Sequence, residues 1–111
     1  MFEIEEYLDA DGRSPFAEWL NSLDAVTAAR ITTVLHRLEQ GNPGDVEPVG
    51  EGVSERRMDF GPGYRLYFGS AKSPSRTSIV LLGGGSKRRQ QHDIRKAKRC
   101  WKDYRRRQRE E

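Results

Sequence analysis

The residues best suited to chemistry lie in Glu55-Arg56-Arg57-Met58-Asp59-Phe60-Gly61-Pro62-Gly63-Tyr64-Arg65-Leu66-Tyr67-Phe68. The stretch reads as a β-hairpin turned by Gly61-Pro62-Gly63. Side chains alternate across a strand, so Glu55, Arg57 and Asp59 share one face of the first strand, and Arg65 and Tyr67 share one face of the second. If the Arg57 and Arg65 faces coincide, one side of a small sheet carries two guanidiniums, a phenol and carboxylates. That set could hold a phosphodiester. An RNA strand can be cut without metal when its ribose 2′-OH attacks the adjacent phosphorus and the 5′-oxygen leaves. The protein must orient that attack, neutralise the phosphoryl oxygens and move two protons.

Arg57 and Arg65 suit the neutralising task, because a guanidinium meets phosphate bidentately and keeps its charge. Lys87 follows three glycines and a serine at the start of a predicted helix. A helix N-terminus attracts anions, so Lys87, Ser86 and the first amides could meet the same phosphate. Tyr67 could stack a base or relay a proton. The plainer reading pairs Arg57 and Arg65 with Glu55 and Asp59 across strands, for at most about 1 kcal/mol. His36, on the second predicted helix, and His92, on the last, are weak catalysts by position. No metal-binding cluster and no cofactor motif is visible; the Gly-rich stretch 42–52 lacks the P-loop and dinucleotide spacings.

The elements that must position these groups follow from local signals. Phe2, Ile4 and Tyr7 form a short first strand. Ser14-Pro15 starts a helix by capping and by a proline at its first position, with Phe16, Trp19, Leu20 and Leu23 at helical spacing. Asp24 caps a second helix with the stripe Ile31, Val34, Leu35 and Leu38, ended by Gly41-Asn42. Residues 42–52 read as a loop. Strands follow at 53–60, 63–70 and 77–82, with Gly83-Gly84-Gly85 closing the last. Ser86 caps a final helix over 87–107, whose apolar face carries Ile94, Ala97, Trp101 and Tyr104. Trp101 and Tyr104 read as packing residues. The order is β-α-α-β-β-β-α: an α+β fold with two helices on one face of a small, mainly antiparallel sheet and the other face partly open.

The 111 residues suit one domain spanning 1–111, with 34% apolar and 33% charged residues leaving a modest core. No run is apolar enough to span a membrane, and the acidic, alternating N-terminus is no signal peptide. Lone Cys100 excludes an internal disulfide and reads as a small packing residue, so a cytoplasmic location follows. Charge is unevenly spread. Residues 1–52 hold 3 basic and 11 acidic residues, and residues 87–111 hold 12 basic and 4 acidic. The basic C-terminal segment suggests a polyanion partner, RNA or DNA, or else a solvated helix face. Arg88, Arg89, Lys96 and Arg99, with Gln90 among them, could track a nucleic-acid backbone.

Several motifs in order resemble a known group: Asp11-Gly12-Arg13-Ser14-Pro15-Phe16 with Glu18-Trp19-Leu20; Arg37-Leu38-Glu39 with Gly41-Asn42; Gly50-Glu51-Gly52-Val53-Ser54-Glu55 with Arg57; Phe60-Gly61-Pro62-Gly63-Tyr64-Arg65; and Leu81-Leu82-Gly83-Gly84 with Lys87, Gln90, Asp93-Ile94 and Ala97. The chain resembles RelE/HigB-type toxins of bacterial type II toxin–antitoxin modules, within them the phage-associated addiction module killer branch. The resemblance implies a RelE-like fold and a metal-independent mRNA endoribonuclease that cuts translated messages on the ribosome. It implies that Arg65 stabilises the transition-state phosphate, that Arg57 and Glu55 occupy catalytic positions on the preceding strand, and that Lys87 is the basic residue after the last strand. Asp93 falls roughly where some relatives place a catalytic Tyr, so Glu55 and Asp93 are the candidate bases. It also implies a cognate antitoxin, a small helix-turn-helix protein of HigA type, and through it operator DNA. Arg56 departs from the resemblance, because that position is usually apolar. An arginine on the core-facing side needs a partner or an exposed edge. Two other functions share these features: a ParE-like toxin that poisons DNA gyrase without cutting RNA, and a plain nucleic-acid-binding domain.

Overall fold

A computed structural model describes residues 2–110; Met1 and Glu111, the ends of the expected domain, lie outside the described residues. The elements run β1 (Glu3–Glu6), α1 (Pro15–Asn21), α2 (Ala25–Glu39), β2 (Val46–Gly50), β3 (Val53–Arg57), β4 (Arg65–Ser73), β5 (Arg76–Gly85), a single 3₁₀ turn (Lys87–Arg89) and α3 (Gln90–Glu110). The class is α+β, with a five-stranded mixed sheet in the order β1-β5-β4-β3-β2. β1 runs parallel to β5, and every other neighbouring pair is antiparallel. Among the described residues, no helix is long and apolar enough to cross a membrane.

Capping sets the first two helices as the sequence predicts. Ser14 Oγ accepts from Ala17 N at 3.0 Å, with Pro15 at the first helical position. Asp24 Oδ1 accepts from Thr27 N at 2.9 Å. Ile31, Val34 and Leu38 then lie on one side of α2 and are buried. With Phe16 of α1 they pack on Leu66, Phe68, Ile79 and Leu81 of the central strands.

The opposite sheet face departs from the expectation of a partly open surface. Ile94, Ala97, Cys100 and Trp101 of α3 cover Val53, Tyr67, Val80 and Leu82 there. The sheet is therefore sandwiched between helices on both sides. Cys100 and Trp101 are packing residues, and burial pushes the Cys100 thiol up, away from a reactive thiolate. Tyr104 stacks on Trp101, with ring centroids 5.3 Å apart, and its hydroxyl donates to Glu5 at 2.9 Å. Tyr7 donates to Asp103 at 2.6 Å, which ties the end of β1 to the same helix.

Three boundaries also differ. Residues 46–50, expected within a loop, form edge strand β2. Pro48 fits there because an edge strand leaves one side of its backbone unpaired. Glu51 and Gly52, both with positive φ (56° and 84°), make the tight two-residue turn into β3. Gly83–Gly85, expected to close β5, belong to it and pair with Tyr67, Leu66 and Arg65, after an irregularity at Leu82. Ser86 makes no side-chain capping bond; it precedes the 3₁₀ turn, and α3 begins only at Gln90.

Gly69 of β4 shows how tightly α3 is seated. A methyl group there would approach the Trp101 ring at 2.6 Å. Replacing Gly69 by Ala is expected to destabilise the protein by about 1–3 kcal/mol through overpacking, read as a lowered urea midpoint. An unchanged midpoint would show that Trp101 is free to move aside.

Candidate functional site

The hairpin register brings the expected groups together. Glu55 lies across from Tyr67, and Arg57 across from Arg65. Two like charges facing each other across strands repel, and each arginine is held by carboxylates of its own. Arg57 reaches outward to β2 and its preceding loop: Nε is 3.2 Å from Asp45 Oδ2, Nη2 3.1 Å from Asp45 Oδ1, and Nη1 3.3 Å from Glu47 Oε2. The Asp45 hydrogen bonds, more than any other contact, raise the Arg57 pKa. Asp59, expected on this face, lies past the end of β3 in the connecting turn and is exposed.

Arg65 turns inward. Its Nε lies 3.5 Å from Glu55 Oε1, a charge contact rather than a hydrogen bond, and its Nη1 donates to Gly63 O at 2.7 Å. Glu55 is only 1% exposed, and its other oxygen accepts from Gln90 Nε2 at 3.0 Å. Gln90 is thus the residue through which the first turn of α3 grips the sheet. Tyr67 is fully buried beside this pair. Its hydroxyl completes no hydrogen bond of good geometry, and burial, then the charges of Glu55 and Asp93, push its pKa well above the usual phenol value. Glu55 and Tyr67 therefore present no surface to a substrate in this conformation.

The groups that do face solvent lie at the end of β5. β1 pairs with Ser78–Leu81 only, so among the described residues the β5 segment from Leu82 to Gly85, paired with β4 on one side, has no strand on the other. A groove of about 530 Å³ occupies that edge. Trp19 and Glu18 of α1 line one wall, Asp93, Lys96 and Arg89 the other, and Gly83–Ser86 the floor. The glycines are what allow it. A Cβ at Gly84 would strike the Trp19 ring, and one at Gly85 would strike the Asp93 carboxylate. Burial raises the Asp93 pKa, and the positive charges of His92, Arg89 and Lys96 oppose the rise. Lys87 stands exposed beside the groove's Pro62, to whose carbonyl its backbone N–H donates at 3.3 Å. Gly63 ties the two zones together: a Cβ there would lie 3.1 Å from Lys87 Cβ and 3.2 Å from Arg65 Nη1.

The predicted set thus divides. Asp93, Ser86, Arg89 and Lys96 line the groove, with Lys87 at its rim; Arg88 is exposed next to them. Arg65, Glu55, Tyr67 and Gln90 form the buried support beneath α3. Arg57 is engaged by the β2 edge. Sequence reasoning missed Asp45 and Glu47 as partners of Arg57, because both lie in the stretch read as loop. It also missed Trp19 as a groove wall, since its helical spacing marks it as core.

Among known proteins, the chain is 40% identical over 84 residues to an uncharacterized protein of Haemophilus influenzae. The match covers 75% of this chain and 82% of that protein. The chain belongs to that protein's family. No family model matches the chain, and no solved structure matches it.

Removing one member of a buried ion pair strands the other without compensation. Glu55→Leu and Arg65→Met are each expected to cost about 3 kcal/mol, and the double variant less than the sum of the two, in a urea double-mutant cycle. Additive costs would mean that the 3.5 Å contact carries no coupling.

Proposed function

We propose that the chain is a metal-independent RNA endonuclease of toxin type, acting in the cytoplasm on translated mRNA, with the β5-edge groove as its phosphodiester site. The observation that carries this reading is the grouping of a half-buried carboxyl of raised pKa, Asp93, with Ser86, Arg89 and Lys96 on a glycine floor, and Lys87 at the rim. The ordered motifs that resemble those of RelE/HigB-type toxins support it, as does the basic C-terminal segment.

In this reading Asp93 takes the proton of the ribose 2′-OH as its oxygen attacks phosphorus. Arg89 and Lys96 hold the non-bridging oxygens, and their charge offsets what builds up in the transition state. The 5′-oxygen leaves with a proton from the Lys87 ammonium, which gives a 2′,3′-cyclic phosphate and a 5′-hydroxyl. Arg65 and Glu55 act as positioning residues through Gln90 and Gly63. Regulation would come from a small helix-turn-helix antitoxin that carries the complex to operator DNA.

A second reading, an RNA-binding domain without cleavage, draws on the burial of Glu55, Arg65 and Tyr67. The two separate in one experiment. The chain is expressed from a tight promoter, and 5′ ends of a reporter mRNA are mapped during growth arrest, beside Asp93→Asn and Lys87→Ala at equal abundance. Because Arg65→Ala also removes half of a buried pair, it is the less informative variant. The nuclease reading expects new cuts inside the translated frame that fall about 100-fold or more in Asp93→Asn, the range for a lost general base. In vitro, cutting should weaken as pH falls through the raised Asp93 pKa, because protonation removes the base. Cuts that persist in both variants would remove the groove from the mechanism. RNA binding with intact mRNA would favour the second reading, and arrest with gyrase-trapped cleaved DNA a ParE-like activity.

A further inference from the structure

Arg56, which the family resemblance leaves unexplained, lies on β3, away from the β5-edge groove and on the side of the sheet that α2 covers. It alternates with Glu55 and Arg57 and so points toward α2. There it lines a pocket of about 170 Å³ with Arg30, Thr33 and Arg37 of α2 and Asp59 and Phe60 of the β3–β4 turn. Its Nη1 donates to the Arg57 carbonyl, but its Nε is buried and has no hydrogen-bond partner. Burial lowers its pKa, and the charge of Arg37 adds to that; Asp45 and Asp59 oppose both. Arg30 is held with its guanidinium 4.1 Å above the Phe60 ring. Among the described residues, neither Arg30 nor Arg37 makes an ion pair. Three guanidiniums therefore share a small pocket with one carboxylate, and one buried N–H lacks an acceptor.

A buried guanidinium N–H without an acceptor is costly, and a cluster of like charges raises that cost. A tetrahedral oxyanion in the pocket relieves the crowding of like charge, because its oxygens accept from several arginines at once. We propose that the pocket between α2 and the β3–β4 turn is a phosphate-binding site, held by Arg56 from below and by Arg30 and Arg37 from the rim. The site is separate from the β5-edge groove and does not depend on RNA cleavage. Its ligand is a phosphate group, carried either by a free phosphorylated small molecule or by the backbone of a bound RNA.

The test uses the full chain and inorganic phosphate, titrated at constant ionic strength against chloride and followed by thermal shift and amide NMR. Arg37 is exposed on α2, so Arg37→Gln should fold with an unchanged melting temperature in chloride. A saturable response in the wild type, with affinity about tenfold weaker in Arg37→Gln, is expected from losing one charged donor. Arg30→Gln should weaken it similarly. An RNA oligonucleotide with 2′-O-methyl groups then separates the sources. Displacement of phosphate, with the same loss in Arg37→Gln, assigns the site to RNA backbone; oligonucleotide binding indifferent to Arg37→Gln assigns it to a free phosphate compound. No saturable response, or an equal response in wild type and both variants, overturns the proposal.

Discussion

A carboxylate that is 1% exposed must be compensated, and the arrangement around Glu55 follows from that requirement. One oxygen faces Arg65 and the other takes a hydrogen bond from Gln90. Arg65 belongs to β4 and Gln90 to the first turn of α3, so a single buried charge fixes the start of the last helix to the sheet. From there Ile94, Ala97, Cys100 and Trp101 continue the contact over the central strands. The apolar face could slide along a sheet of Val and Leu; the Gln90–Glu55 bond limits where it starts. That starting point determines where Asp93 meets Gly85 and where Lys87 emerges beside Pro62.

Electrostatic pairing then sorts the basic residues. The acidic N-terminal half contributes Asp45 and Glu47 to Arg57, Glu3 to Arg76 and Glu51 to Lys98. Such pairs at the surface add little stability, but they remove those cations from competition for a polyanion. Lys87, Arg88, Arg89 and Lys96 have no such partner among the described residues and stand together where β5 meets α3. An approaching phosphate backbone would be drawn there first. The basic segment is therefore not uniform along α3: near its C-terminal end, Arg106 and Arg107 are engaged by Asp103.

Local rules carried far in this sequence. The caps at Ser14 and Asp24 and the stripe on α2 follow from spacing alone; that the Arg57 and Arg65 faces coincide was left open by alternation and is decided by the hairpin register. Burial did not. Alternation tells which residues share a face, but not what covers that face, so a surface expected to hold substrate is closed by α3. β2 was hidden because Pro48 and its flanking glycines are turn formers everywhere except at an edge. Gly83–Gly85 were read as a stop, yet they continue β5; at Gly84 and Gly85, Trp19 and Asp93 occupy the space a side chain would need. Asp93 was legible as a candidate base, and its place in a groove was not, since Trp19 is distant in sequence. The resemblance implies a phosphate-stabilising role for Arg65 and gives no sign that Arg65 is the buried counter-charge of Glu55.

The claim most open to direct test is that nucleic acid enters at the β5 edge. The measurement is a ¹⁵N-amide NMR titration of the protein with a short, uncleavable RNA in which every 2′-OH is methylated. The account predicts the largest shifts at Gly83–Ser86, Arg89, Asp93 and Lys96, with the amides of the exposed α3 face around Arg105 and Arg109 changing little. Shifts confined to that outer face, or no shifts at all, would contradict it.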